Sequence, residues 1–273
     1  MAQWVLGRAF NQNLTMSTPT LGAVMFVYNG DQFDYCYRET IECMKSFADQ
    51  VVVLAIESPD GCHVVCKQYE DYRTKVVVYP ESAWHEQQGR EKLAHFQNEA
   101  KRFLQTDYYM CIQADEILHE RSFSAVRDAI STGLPAFMCT RHNLWFDPWH
   151  QLNVPQERKP CSDQVIRLAK LEFNSTGDGE SFDCPFVTFD LVPYIEIFHM
   201  GYVRRPDIMK HKVIHMLEQV FLTPHDARLD KSDVFDPFEY FDKNDVKPIT
   251  GPLPRFVDRW VTERYPAGSL LSD

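Results

Sequence analysis

The stretch Tyr108-Tyr-Met-Cys-Ile-Gln-Ala-Asp-Glu-Ile-Leu118 is an apolar segment that ends abruptly in two acids, Asp115 and Glu116. A short apolar run of this kind is typical of a buried strand. Carboxylates beside a buried strand are costly unless a cation or hydrogen-bond donors meet them. The segment therefore indicates a site for a divalent metal or a sugar, or else a solvated strand end, or an aspartate that caps a helix starting near Arg121.

Strands and helices alternate before this segment. Residues 21–28 are apolar on both faces and predict a buried strand, and residues 33–47 carry apolar positions at helical spacing. Residues 51–56 and 76–79 predict two further strands, and residues 88–104 predict a helix. Alternation of this kind predicts an α/β fold with a mainly parallel sheet flanked by helices, whose ligand crevice lies at the carboxyl ends of the strands.

The pattern changes near residue 134. Short strand-like segments follow at residues 136–139, 165–168, 186–191 and 194–198, with a polar, glycine-containing turn at residues 174–179. Such a half is typical of antiparallel strands and long loops that close one side of a crevice. We expect one continuous domain with a soft division between residues 1–133 and residues 134–273.

Composition limits the class of protein. The chain has 273 residues, of which 44% are hydrophobic and 25% charged, as in an ordinary globular protein. Its apolar runs are shorter than the roughly 20 residues that cross a bilayer, and its first residues lack a secretory signal pattern, so we expect a cytoplasmic protein. Eight cysteines without CxxC spacing favour reduced core thiols.

The net charge of −11 opposes a broad nucleic-acid-binding surface. Four cations and one histidine nevertheless cluster between Arg204 and Lys212, a pattern that taken alone is typical of a solvated helix start. The chain contains no G-x-S-x-G elbow, P-loop or G-x-G-x-x-G fingerprint, which excludes the enzyme classes that those motifs define.

Over roughly its first 120 residues, the chain resembles the family-2-like glycosyltransferases with a GT-A fold. The resemblance lies in the strand ends Tyr28-Asn-Gly30, Glu57-Ser-Pro-Asp-Gly61 and Gln113-Ala-Asp-Glu116. In that family the acidic motif is D-x-D, and its last aspartate coordinates Mn²⁺ or Mg²⁺ on the donor diphosphate. Asp115 keeps this position, with Glu116 as a local substitute. Gln113 replaces the first aspartate, so it can donate hydrogen bonds but brings no charge.

The resemblance also implies how a nucleotide is bound. The backbone around Tyr28 and Asn29 would contact the base and ribose, and Glu57 would hold hydroxyl groups through charge-assisted hydrogen bonds. Asp60 could do the same, although Ser58-Pro-Asp-Gly61 is equally typical of a β-turn.

Residues 194–212 form a second constellation, in which a strand ending in His199 precedes a glycine turn and several cations. A histidine in this setting is more often structural when taken alone. The resemblance implies that His199 is a late metal ligand and that Arg204 and Lys212 bind the diphosphate. In the loop of residues 177–183, Asp178 and Glu180 are candidate catalytic bases, with an ordinary hydrophilic loop as the alternative.

The resemblance thus implies a metal-dependent transferase that moves a sugar, with inversion, from a UDP or GDP donor to a glycan or other hydroxylated acceptor. Residues 1–133 would bind the donor and residues 134–273 the acceptor. Two alternatives remain. One is a non-catalytic nucleotide- or carbohydrate-binding relative, favoured by Gln113. The other is a transferase acting on a modified DNA base, favoured by the cation cluster and opposed by the acidic composition.

Overall fold

The computed structural model describes residues 18–184 and 195–265. The strands are β1 (Leu21–Val27), β2 (Gln50–Ile56), β3 (Thr74–Tyr79), β4 (Tyr108–Cys111), β5 (Glu116–Leu118), β6 (Ala136–Trp145), β7 (His150–Leu152), β8 (Gln164–Lys170), β9 (Ser175–Thr176), β10 (Ser181–Phe182), β11 (Glu196–Tyr202) and β12 (Val246–Pro248). The α-helices are α1 (Tyr37–Phe47), α2 (Cys62–Lys67), α3 (Glu81–Glu86), α4 (Glu91–Lys101), α5 (Phe123–Ser131), α6 (Pro206–His215) and α7 (Asp258–Arg264). A π-helical turn, Met216–Phe221, follows α6 directly.

The central sheet begins with four parallel strands in the order β3-β2-β1-β4. Beyond β4 the sheet is mixed, because β8 is antiparallel to both β4 and β6, whereas β11 is parallel to β6 and antiparallel to β5. The predicted α/β class, with a mainly parallel first half and a more irregular second half, is confirmed. The β4–β8 pair joins a strand before residue 134 to a strand after it, so one sheet contains both halves of the chain. The division of function at residue 134 stays a prediction.

Strand β1 is buried on both faces, which explains why its sequence is apolar throughout. On one face Met25 belongs to the apolar cluster that contains Ile41 of α1, and on the other Val24 belongs to the cluster that contains Phe96 of α4. Helices therefore cover both faces of the parallel sheet, and its strand ends are left to form a site. No helix among the described residues is long and apolar enough to span a membrane.

The helix predicted for residues 33–47 begins only at Tyr37. The chain first makes a turn in which Asn29 and Asp34 adopt positive φ angles of 53° and 52°, and the Tyr35 amide donates to the Gly30 carbonyl. The helix predicted for residues 88–104 is likewise shorter, because α4 begins only at Glu91, after Gly89 with a φ of 70°, and ends at Lys101.

The strands predicted at residues 136–139 and 165–168 lie within β6 and β8, which are both longer than expected. The segment predicted at residues 194–198 overlaps β11, although its first residue lies outside the described part of the chain. The strand predicted at residues 186–191 also lies outside the described residues.

Candidate active site

A cavity of about 490 Å³ lies at the carboxyl ends of β1 and β4. Tyr28 lines it from the end of β1, and Gln113 and Asp115 line it from the turn after β4. Lys212 of α6 and Asp178, from the loop between β9 and β10, contribute other parts of the wall. Because β1 and β4 are parallel neighbours, their carboxyl ends meet at one edge of the sheet, where open α/β proteins bind ligands.

Glu116 fixes the acidic turn that carries Asp115. Its side chain is fully buried, and Oε2 accepts a hydrogen bond of 3.0 Å from the Gln113 amide. Oε1 accepts from Arg167 at 2.6 Å and from Arg141 at 3.3 Å. Burial acts to raise the pKa of Glu116, but the two guanidinium groups outweigh it and hold the pKa below its ordinary value. Glu116 therefore stabilises the fold through these contacts, and it does not line the cavity.

Asp115 is surrounded by nitrogen atoms. Its Oδ2 accepts a hydrogen bond of 3.0 Å from Lys212 Nζ and lies 3.6 Å from Arg204 Nη2. Its Oδ1 lies 3.8 Å from His199 Nε2. Burial alone would raise the pKa of Asp115, but Lys212, His199 and Arg204 hold it well below the ordinary value. The carboxylate is therefore ionised, and its Oδ1 side faces the imidazole.

His199 is buried, and its Nδ1 lies 3.0 Å from Oδ1 of Asn143. Burial lowers the pKa of His199 to about 3, so the imidazole is neutral near pH 7. The ring lies directly over Gly201, where a Cβ atom would come within 2.3 Å of both Cε1 and Nε2. The sequence predicted a glycine turn after a strand ending at His199, but Gly201 lies within β11, beside an irregularity in the β6–β11 register. The position of the ring requires a glycine there.

The two buried cations differ in their access to the cavity. Lys212 lines it and also donates to the Gly201 carbonyl at 2.7 Å. Burial first, and then Arg204, lower the pKa of Lys212 to about 8. Arg204 is not among the lining residues, because its guanidinium donates to the carbonyls of Phe33 at 2.6 Å and Met200 at 2.9 Å. Arg204 therefore contacts Asp115 from within the protein and not from the cavity.

Asp178 and Glu180 both line the cavity, but their environments differ. Glu180 forms an ion pair with the buried Arg141. Asp178 is half-buried and makes no side-chain hydrogen bond or ion pair with any described residue. Of the two candidate bases, only Asp178 presents to the cavity a carboxylate that is unpaired within residues 18–184 and 195–265.

Only some of the residues expected to bind a nucleotide line the cavity. Tyr28 lines the cavity and stacks on Trp84, with ring centroids 4.7 Å apart, and Gln113 lines the wall beside Asp115. Asn29, which is buried, and Glu57, which is exposed, do not line the cavity.

Asp60 acts as a turn residue. Its Oδ2 accepts from the amides of Asp31 and Gln32 at 2.8 and 2.9 Å, and its Oδ1 accepts from Ser58 Oγ at 2.6 Å. These bonds join the turn after β2 to the turn after β1. The β-turn interpretation of this segment therefore describes what Asp60 does in the fold.

Three residues that support the site were not anticipated from the sequence, namely Arg141, Asn143 and Arg167. Arg141 and Arg167 are fully buried within β6 and β8. A charged residue in an otherwise buried strand needs a partner, so the arginine in Gln164-Val-Ile-Arg-Leu-Ala-Lys170 was the available signal. Nothing in the sequence singles out Asn143.

No group of three or more His, Cys, Asp and Glu side chains within residues 18–184 and 195–265 could hold a metal ion. Two donors do converge, however, because Asp115 Oδ1 and His199 Nε2 face each other at 3.8 Å. A magnesium-type ion in a phosphate site usually takes only one or two protein ligands, with water and substrate phosphates as the others. Asp115 and His199 fit that limited donor set.

No protein-family model matches the chain, and a search of curated proteins found no similar sequence. Similar solved structures include a mannosyltransferase from Pyrobaculum calidifontis in complex with GDP-mannose and Mn²⁺, which is 18% identical over 46% of this chain and 36% of that one, with a TM-score of 0.36. Glucosyl-3-phosphoglycerate synthase from Mycobacterium tuberculosis, in complex with Mn²⁺, UDP and phosphoglyceric acid, is 16% identical over 59% and 61% of the two chains, with a TM-score of 0.40.

A third similar structure is that of residues 1–349 of TarS from S. aureus. It is 12% identical over 77% of this chain and 68% of that one, with a TM-score of 0.41. The matches to the first two structures thus span 36% and 61% of their lengths.

Proposed function

We propose that this chain is a glycosyltransferase that moves a sugar from a nucleoside diphosphate donor to a hydroxyl acceptor. One observation supports the proposal above all. The Asp115 carboxylate faces the neutral His199 imidazole across 3.8 Å, with the Lys212 ammonium on its other oxygen, in the wall of a cavity at the ends of parallel strands. Such a crevice suits a nucleotide.

The donor diphosphate belongs at this polar part of the wall. Asp115 and His199 would hold Mn²⁺ or Mg²⁺, an ion that would neutralise charge on the departing nucleoside diphosphate. Lys212 lies beside them on the cavity wall and pairs with phosphate oxygens. Gln113 adds hydrogen bonds without adding charge.

The nucleobase belongs at the aromatic part of the same wall. Tyr28, Phe33 and Trp84 line the cavity there and give it an apolar surface for a flat base. Neither the cavity volume nor these rings select a particular base, so both UDP- and GDP-sugars are candidate donors.

Asp178 takes the proton from the acceptor hydroxyl. It lines the cavity with a carboxylate that no described residue engages, so both of its oxygens are available to accept a proton. Glu180 instead holds Arg141, so it keeps the loop in place. A base that activates the acceptor for direct attack gives inversion at the anomeric carbon.

A thermal unfolding experiment tests the proposal. With Mn²⁺ and either UDP or GDP present together, the melting temperature of the wild-type protein rises, because ligands that bind only the folded state stabilise it. Asp115→Asn abolishes this rise. Asp178→Asn is the matched control, since it keeps the rise and loses only sugar transfer. A wild-type melting temperature that ignores every combination of these ligands would overturn the proposal.

A non-catalytic nucleotide-binding protein is the second candidate, and Gln113 favours it, because glutamine supplies no charge where the D-x-D motif has an aspartate. Incubation with common nucleotide sugars separates the two candidates, since an active transferase slowly passes the sugar to water. Stabilisation by UDP or GDP without any release of nucleoside diphosphate from these donors would identify the binding protein.

Transfer to a nucleic acid has less support. The basic residues between Arg204 and Lys212, which were expected to bind a nucleic acid, do not form one exposed surface. Arg204 and Lys212 are buried, whereas Arg205 and His211 are exposed. A surface that binds phosphates needs several exposed cations together.

A further inference from the structure

Asn143 and His199 are neighbours across two parallel strands. They are register partners in the β6–β11 pair, and the Asn143 Oδ1 atom lies 3.0 Å from His199 Nδ1. Both side chains are buried. Their contact therefore takes place away from water, where an unmatched hydrogen bond is costly.

The orientation of the Asn143 amide follows from its other neighbours. Its Nδ2 lies 3.0 Å from the Ser162 carbonyl and 2.9 Å from Asp163 Oδ1, and 3.4 Å from the Cys161 carbonyl. All three of these atoms accept hydrogen bonds, so the NH₂ group must face them. The amide oxygen consequently faces His199.

An amide oxygen can only accept, so Nδ1 of the neutral imidazole carries the proton and Nε2 carries the lone pair. The opposite tautomer would bring two acceptors to 3.0 Å inside the protein. It would also form no hydrogen bond at the other end, because Asp115 Oδ1 lies 3.8 Å from Nε2, beyond hydrogen-bonding distance.

We propose that Asn143 is a positioning residue, which holds His199 in the Nδ1-protonated tautomer and so presents Nε2 as a free ligand beside Asp115. Gly201 completes the arrangement, since any side chain there would displace the ring. The role of Nε2 toward a divalent cation rests on the proposed function, whereas the tautomer is a property of the free protein.

The tautomer is measured directly by nitrogen NMR of ¹⁵N-labelled imidazoles in the metal-free wild-type protein. His199 is expected to show a protonated Nδ1 and an unprotonated Nε2 near pH 7. A wild-type signal with the proton on Nε2 overturns the proposal without any variant, and it leaves the nucleotide-binding test of the proposed function unaffected.

The Asn143→Ala variant tests whether Asn143 sets the tautomer of His199. The proton is expected to move toward Nε2, and the affinity for Mn²⁺, measured by the electron paramagnetic resonance signal of the free ion, is expected to fall by about 10–100-fold. Gln151→Ala is the matched control, because Gln151 Oε1 contacts His142 Nδ1 at 3.2 Å in a second amide–histidine pair. That variant is expected to leave the His199 tautomer and Mn²⁺ affinity unchanged.

Circular dichroism and the dispersion of the NMR spectrum show whether Asn143→Ala is folded. A folded variant that keeps the wild-type tautomer and Mn²⁺ affinity overturns the positioning role. A wild-type protein with the expected tautomer but no affinity for Mn²⁺ overturns the cation role of Nε2, and that result counts against metal dependence in the proposed function.

Discussion

Lys212 Nζ lies 3.0 Å from Oδ2 of Asp115, although 97 positions of sequence separate the two residues. The other carboxylate oxygen, Oδ1, faces His199 Nε2. One oxygen therefore bears an internal cation, while the other faces a neutral nitrogen. Asp115 is already partly neutralised in the free protein, and a divalent ion that binds it has to share the carboxylate with Lys212.

Replacing Lys212 with methionine removes the internal cation from Asp115 and leaves the Oδ1 side of the carboxylate unchanged. The variant leaves Asp115 buried with Arg204 as its remaining cationic partner, at 3.6 Å. We expect a loss of about 3–5 kcal/mol in the free energy of unfolding, because the buried carboxylate has lost the cation that is hydrogen-bonded to it. Mn²⁺ alone should then raise the melting temperature of the variant more than that of the wild type, since the ion restores the missing positive charge.

Lys210→Met is the control, because Lys210 lies on the same helix but donates to the Ser232 carbonyl at 2.6 Å, outside the site. Its response to Mn²⁺ should equal that of the wild type. If Lys212→Met also responds to Mn²⁺ as the wild type does, Asp115 does not bind the ion.

Glu116→Gln should be among the more destabilising substitutions in the site. It removes the anionic partner of Arg167, which is fully buried, and one of the partners of Arg141. Breaking a buried ion pair typically costs about 3–5 kcal/mol, which urea denaturation measures as a lower midpoint. Glu263→Gln disrupts an exposed pair with Arg259 and should cost less than about 1 kcal/mol. Similar costs for the two variants would contradict the structural role of Glu116.

Asp178→Asn and Glu180→Gln should have opposite profiles. Loss of the base should slow sugar transfer by about 10²–10⁴-fold while leaving the melting temperature nearly unchanged. Loss of the Glu180 charge should instead lower the melting temperature, because Arg141 is buried and loses a partner. Single-turnover transfer and thermal unfolding, measured on both variants, distinguish the roles. A normal transfer rate in Asp178→Asn would refute its assignment as the base.

The parallel half of the fold could be predicted because its central strands are buried on both faces and therefore apolar, as β1 is throughout and β2 is from Val51 onward. Parallel strands also bring their carboxyl ends together, so the position of Asp115 beside the cavity follows from the strand order. Helix starts were less accurate, since the turn at residues 29–35 depends on positive φ angles at Asn29 and Asp34 that apolar spacing does not reveal.

The buried residues that hold the site residues in place could not be predicted in the same way. Arg141, Asn143 and Arg167 act through contacts between β6, β8 and β11, and the order of these strands is set by pairing rather than by local periodicity. The pairing of Glu180 with Arg141 links a loop to a strand 39 positions away. Such contacts depend on tertiary packing, so a single sequence identifies the charged residues but not their partners.

His215 should make the stability of the protein depend on pH. Its ring packs on Phe33, with centroids 4.8 Å apart, and burial lowers its pKa to about 4. An unfolded histidine titrates near pH 6.5, so between about pH 4 and 6.5 the unfolded chain holds the extra proton. The free energy of unfolding should therefore rise with pH across this window, by at most about 1.4 kcal/mol per pH unit from this group, and level off above it. His215→Phe keeps an aromatic ring against Phe33 and should remove that part of the slope, which urea denaturation at pH 5.0 and 7.5 would measure. An unchanged difference between the two pH values would mean that the folded protein does not hold His215 in its neutral form.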